Sequence, residues 1–70
     1  MHREQVSSSN IKSIGYESNS KTLEIEFKDG GIYQYFNVAS DIYKKLISVI
    51  SIGSFFHKYI KDNYRWKKIN

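Results

Sequence analysis

The stretch Thr22-Leu23-Glu24-Ile25-Glu26-Phe27 alternates polar and apolar side chains without a break. Successive side chains of an extended strand point to opposite faces. Leu23, Ile25 and Phe27 therefore share one face, and Thr22, Glu24 and Glu26 share the other. A strand with one dry and one wet face belongs in an antiparallel sheet, because parallel sheets are covered on both sides. From Ser40 the pattern changes to a helical one. At about 100° per residue, Ile42, Tyr43, Leu46, Ile47, Val49 and Ile50 fall within an arc of roughly 160°, opposite Asp41, Lys44, Lys45 and Ser48. The chain thus runs from sheet to helix, the order of an α+β domain.

Two further strands flank the alternating one. Ile11 to Tyr16 has strand character, and Glu17-Ser18-Asn19-Ser20 supplies turn-forming residues to close a hairpin. After Lys28-Asp29-Gly30-Gly31, the segment around Tyr33-Gln34-Tyr35 returns as the third strand, in one of two registers. A two-residue turn on Asp29-Gly30 pairs Phe27 with Ile32 and leaves both tyrosines on the Glu24/Glu26 face, free to stack on bases. A three-residue loop places Gly30 in a left-handed bulge position, sets Ile25 opposite Tyr33 and Leu23 opposite Tyr35, and brings the tyrosines into the core. Sequence alone leaves both registers standing. The glycine position and the need for apolar mass prefer the second, which leaves Ile32 and Phe36 partly exposed.

Past the first helix, Ser51 has the character of an N-cap, and Gly53 gives the chain room to turn into a second helix. Ile52, Phe55, Phe56, Tyr59, Ile60 and Tyr64 form its apolar side, while Lys58, Lys61 and Arg65 align on the outer side as a basic stripe. Trp66-Lys67-Lys68-Ile69-Asn70 extends the positive charge into a frayed tail. Residues 1–10, with the polar run Ser7-Ser8-Ser9-Asn10, read as a loose lead-in on which Val6 alone has something to bury. The expected architecture is a three-stranded antiparallel β-meander followed by two helices packed on one face of the sheet, a single domain over 1–70.

Length sets the energetic limit. A chain of 70 residues buries only about 60% of its unfolded surface, so it supports one core with a thin margin. Six Tyr, four Phe and one Trp offset that shortage, because each ring removes a large apolar area from water. With no Cys and only His2 and His57, no disulfide, structural metal or cofactor is expected. Residues 1–5 lack an apolar leader segment, and the apolar run Leu46 to Phe56 is broken by serines and a glycine. That run is too short to cross a membrane, so a cytoplasmic, membrane-free protein is expected.

The net charge of +4 is uneven. Residues 1–37 hold four Lys/Arg and five Asp/Glu (4 − 5 = −1), whereas residues 38–70 hold seven and two (7 − 2 = +5). Cations gathered in one half of a small domain raise the local concentration of anionic partners. Glu24 and Glu26 sit two apart on the wet strand face, but no third group accompanies them to polarise a substrate, so no catalysis is expected. His57, without a nucleophile or ligand partner near it in sequence, is read as a structural, hydrogen-bonded histidine on the helix rim.

Taken together, the residues resemble the KTSC domain family, named for its occurrence at the C-terminus of some lysyl-tRNA synthetases and also found as stand-alone bacterial proteins. The resemblance runs from Ser8 to about Ile69. It rests on Ile11 with Ile14-Gly15-Tyr16, the strand Leu23-x-Ile25-x-Phe27, Gly30, the central Tyr33-x-Tyr35, Val38, Tyr43, Leu46, Ser51-x-Gly53, Phe55-Phe56, Ile60 and Tyr64. This chain departs from the family pattern with Ala39 in place of a proline, Val49 in place of an alanine and His57 in place of an asparagine. The resemblance implies a domain of undetermined role for which RNA binding has been suggested. Tyr33, Tyr35, Ser51, Gly53 and Phe56 are its motif residues, read here as structural.

Two functional classes follow. The first is a module that binds RNA or another polyanion, with Lys44, Lys45, Lys58, Lys61, Arg65, Lys67 and Lys68 contacting phosphates and Trp66, with exposed Phe36, stacking on bases. The second is a module for a protein partner, or a homodimer, using Ile32, Phe36 and the wet sheet face.

Overall fold

The computed structural model describes all residues, Met1–Asn70. Five strands and two helices follow in the order β1 (Glu4–Gln5), β2 (Ile11–Glu17), β3 (Thr22–Phe27), β4 (Ile32–Tyr35), α1 (Ser40–Ser48), α2 (Ile52–Tyr59) and β5 (Trp66–Lys68). The sheet is antiparallel throughout, with strand order β1-β2-β3-β4-β5. The three expected strands form its centre, and the expectation of a three-stranded meander falls short by one strand at each edge.

Both added strands correct a reading of disorder. In the supposed lead-in, Glu4 pairs with Ile14 and Gln5 with Ser13. In the supposed frayed tail, Trp66 pairs with Tyr35, Lys67 with Gln34 and Lys68 with Tyr33. The ladder extends beyond β5 at both ends, because the Phe36 amide donates to the Arg65 carbonyl and the Ile69 amide to that of Ile32. β4 was a bare edge in the expected topology. Its row of free backbone groups is a template that the returning chain satisfies.

The register between β3 and β4 is the one that the loop chemistry preferred: Leu23 faces Tyr35, Ile25 faces Tyr33 and Glu26 faces Ile32. The Gly30 amide donates to the Phe27 carbonyl and the Phe27 amide to that of Gly31, closing a loop of Lys28, Asp29 and Gly30. Gly30 takes a φ of +100° there, a conformation open to glycine at little cost.

The helices cover the face that carries Leu23, Ile25, Phe27 and Tyr35. Ile11, Ile14, Leu23, Ile25, Val38, Leu46 and Ile60 are fully enclosed, and burial of each such side chain is worth about 1.5–3 kcal/mol. α1 is fixed to the sheet by Tyr16, whose ring stacks on Tyr43 at 4.7 Å and whose hydroxyl donates to the Val38 carbonyl at 2.6 Å. Its apolar arc is narrower than expected. Val49 is already extended (φ −79°, ψ 153°), so the chain leaves the helix there; Ile47 is exposed and Ile50 is 100% exposed. α2 contributes Ile52, Phe56 and Ile60 to the core.

Ser51 occupies the position before α2, but its hydroxyl meets that of Ser54 at 2.9 Å and caps no backbone amide. Gly53 lies inside α2 and not in the turn. A Cβ there would sit 2.8 Å from the Asn10 Oδ1, so its bare α-carbon is what lets the loop after β1 close against the helix. α2 also stops earlier than its periodicity suggests. The Asn63 side-chain amide donates to the Tyr59 carbonyl at 2.8 Å, taking an acceptor that a further helical turn would have used. No helix is long and apolar enough to cross a membrane.

Candidate functional site

The early end of α2 changes the geometry of the basic residues. Lys58 lies on the helix, but Lys61 falls in the turn after it and Arg65 precedes β5, so the expected helical stripe does not form. Strand alternation then divides the remainder. Trp66 and Lys68 pair with Tyr35 and Tyr33 and lie on the helix-covered face, whereas Lys67 pairs with Gln34 on the opposite face, and Arg65 lines a separate hollow with Phe36 and Tyr64. The Lys58 ammonium lies 5.3 Å from the centroid of the Tyr59 ring. Lys44 and Lys45 stand on the exposed side of α1. Of the eight residues expected to bind nucleic acid, the fold thus gathers Lys61, Trp66 and Lys68 and disperses Lys44, Lys45, Lys58, Arg65 and Lys67. None of the seven cations is within ion-pairing distance of a carboxylate.

Lys61 and Trp66 line a cleft of about 370 Å³ between α2 and the β4–β5 edge, and Lys68 adjoins it through the Tyr33 ring. Its floor is aromatic. Phe27 meets Tyr33 edge to face at 5.6 Å and Phe56 at 5.5 Å, Tyr35 meets Phe56 at 5.3 Å, and Tyr33 meets Trp66 at 5.6 Å. Tyr35 is buried, Tyr33 is half-buried, and Trp66 is 55% exposed, presenting an open ring at the mouth. The Lys68 ammonium sits 5.9 Å from the centroid of Tyr33, and Lys61 lines the opposite wall. Gly53, His57, Asn10, Asp29 and Asp62 complete the lining. His57 is exposed here and not packed on the helix rim as expected.

Four of the five family-motif residues, Tyr33, Tyr35, Gly53 and Phe56, line this cleft. Their structural role and the cleft are therefore one feature: the rings that fill the core at one end are open at the other. Burial pushes the Tyr35 hydroxyl up from 10.0 to about 12, with nearby Tyr33 and Asp62 adding to the shift. The phenol is neutral at physiological pH and keeps a proton to donate. Asp62 was not singled out from the sequence, and neither were Asp29 and Asn10. All three sit in turns or bends and carry no periodic signal; the pairing of β2 with β3 sets Asn10 beside the Asp29 turn, and the turn after α2 adds Asp62.

The opposite face of the sheet is built differently. The Arg3 guanidinium pairs with Glu24, donates to the Ser13 hydroxyl at 3.1 Å and approaches Glu26 at 3.7 Å. Gln34 donates to Glu24 at 2.8 Å, and Ser13 to Glu26 at 2.8 Å. Glu24, expected to be exposed, is only 4% exposed. Around Glu24, this face is covered by the N-terminal segment of the chain, while Ile32 and Phe36 stay partly exposed.

These residues match a known family. The KTSC domain family model covers residues 7–64. The crystal structure of a KTSC domain protein from Yersinia pestis superimposes with a TM-score of 0.96 at 40% identity, over 99% of this chain and 97% of that one. The chain belongs to the KTSC domain family. Among curated KTSC relatives, the lysine–tRNA ligase of Trichormus variabilis is 37% identical over 60 residues, which is 86% of this chain and 11% of the ligase. This chain therefore spans about a tenth of the length of such ligases. An uncharacterized protein of Stutzerimonas stutzeri is 32% identical over 71 residues and is matched along its whole length.

Proposed function

We propose that this KTSC domain is a binding module for single-stranded RNA, and that the cleft between α2 and the β4–β5 edge receives an unstacked base. The observation that carries this reading is an open Trp66 ring and the Lys61 cation in one cleft lining, with the Lys68 ammonium over the Tyr33 ring of the same cleft. Single-strand binders combine these two elements, because every base has a stackable face and every linkage carries a negative charge. The similarity to lysine–tRNA ligases favours RNA over DNA as the polymer.

The test is a titration against tRNA, single-stranded RNA, single-stranded DNA and duplex DNA at several salt concentrations. The expected result is preference for unpaired strands, with a log–log salt slope near −1.5 to −2 for two or three neutralised phosphates. Equal affinity for duplex, or binding indifferent to salt, contradicts it.

A second reading has one observation behind it. Ile50 is 100% exposed beside exposed Ile47, an apolar step that suits a protein partner or a second copy better than a polyanion. Sedimentation of the wild type and of Ile50→Ser tests it; a monomer at high concentration in both removes the dimer version.

A further inference from the structure

Lys61 and Asp62 are consecutive in the turn after α2, and both line the aromatic cleft. Both side chains are exposed, so the cleft that holds the Trp66 and Tyr33 rings also carries a donor and an acceptor at consecutive positions of its lining. The neighbouring carboxylate, Asp29, is engaged in its own loop, where it accepts from the Gly31 amide at 2.9 Å. Asp62 is different. It is exposed, and no cation of the chain lies within ion-pairing distance of it.

An ionised carboxylate is an acceptor only, and an ammonium is a donor only. A base bound here must therefore present one acceptor next to donors on its pairing edge. Guanine does so: O6 accepts, while N1–H and the N2 amine donate in parallel, a spacing suited to the two oxygens of one carboxylate. Adenine and cytosine each place a ring-nitrogen acceptor beside a single amine, and uracil flanks its one N–H with two carbonyls. Each of those three edges sets a lone pair against the second carboxylate oxygen, a repulsive contact that discriminates against them.

We propose that the cleft selects guanine, with Asp62 accepting from N1–H and the N2 amine and Lys61 donating to O6. This deepens the single-strand reading and rests on it. Asp62 acts as the specificity-determining group, because removing it leaves the stacking rings and Lys68 in place. Since Trp66 is the sole tryptophan of the chain, its emission reports directly on the mouth of the cleft.

The experiment measures quenching of Trp66 emission by RNA pentamers UUXUU, with X guanosine, inosine, adenosine, cytidine or uridine, on the full chain and on Asp62→Asn. For the wild type, guanosine should bind about tenfold or more tightly than adenosine, cytidine or uridine, the discrimination expected of a bidentate pair. Inosine, which lacks the N2 amine, should fall between. In Asp62→Asn, whose melting temperature should be unchanged because the native side chain is exposed, the five pentamers should differ by no more than about threefold. Equal affinities in the wild type, a preference for cytidine, or a guanosine preference that survives in Asp62→Asn overturns the guanine assignment while leaving the single-strand reading intact. Absence of quenching by every pentamer, particularly if a trimethyl-lysine peptide quenches instead, removes both, since a ring of aromatic side chains with a carboxylate also suits a quaternary ammonium.

Discussion

On the outer face of the sheet, Arg3 reaches over β2 and β3 to Glu24, Ser13 and Glu26, and Gln34 supplies the next donor. On the inner face near β5, Trp66, Lys61 and Asp62 line an open cleft with Lys68 beside it, and none of the three charged groups forms an ion pair within the chain. Both regions carry charge, and both adjoin buried groups. The difference is whether the fold satisfies its own polar groups. The outer network is closed, so its charge contributes to holding the N-terminal segment in place. The cleft leaves rings and charges unsatisfied on the same few square nanometres, and that combination can bind.

The largest effect should come from opening the closed face. Replacing Arg3 by alanine leaves Glu24 nearly buried with only Gln34 as partner. Loss of one member of a buried pair costs about 3 kcal/mol, a large share of the stability of a domain this small. Urea unfolding measures it, and RNA affinity per folded molecule should be unchanged. A loss below about 0.5 kcal/mol would mean that the pair behaves as an ordinary surface ion pair.

The reverse signature is expected in the cleft. Trp66→Ala should weaken RNA binding by about 1–3 kcal/mol, the contribution of one stacked base, measured by fluorescence anisotropy of a labelled oligonucleotide. Its stability cost should be under about 1.5 kcal/mol, since the ring is half-exposed and loses chiefly its contact with Tyr33. A variant that unfolds without a change in affinity would reverse the assignment of the two regions.

A smaller effect distinguishes them by pH. Tyr35 ionises in the folded chain at about 12, above the 10.0 of a free tyrosine. A raised folded value means that the neutral phenol is favoured by the fold, so this stabilisation is complete below pH 10 and declines as pH rises towards 12. The decline should approach but not exceed about 1.4 kcal/mol per pH unit. Tyr35→Phe should flatten the stability profile in that window, whereas Arg3→Ala should leave its slope as in the wild type.

The central strands were legible because each follows one local rule. Strict alternation marked the two faces of β3, and the glycine at position 30 favoured, without settling, the loop that orients Tyr33 and Tyr35. The edges were not legible. Strands of two and three residues carry no period, and β5 exists only because the chain returns to pair residue 66 with residue 35. The end of α2 misled for a different reason. Apolar spacing continues to Tyr64, but a single side chain, Asn63, competes for the Tyr59 carbonyl and ends the helix. That one turn converts an expected stripe of Lys58, Lys61 and Arg65 into cations on different surfaces. The aromatic half of the cleft was visible as the Tyr33-x-Tyr35 and Phe55-Phe56 motifs, but its polar half, Asp62 with Lys61, became meaningful only when the turn after α2 brought it into the same lining.

The most direct test exploits neighbours in sequence that the strand register separates in space. Lys67→Glu and Lys68→Glu change the net charge identically, yet Lys68 borders the cleft and Lys67 lies on the opposite face. If the cleft is the binding surface, Lys68→Glu should weaken single-stranded RNA binding and make the log–log salt slope shallower by roughly 0.7 to 1.5, one or two phosphates' worth, while Lys67→Glu retains near wild-type affinity and slope. Equal losses from both substitutions would show that net charge alone attracts RNA, and a larger loss from Lys67→Glu would place the interface on the face that carries Arg3 and Glu24.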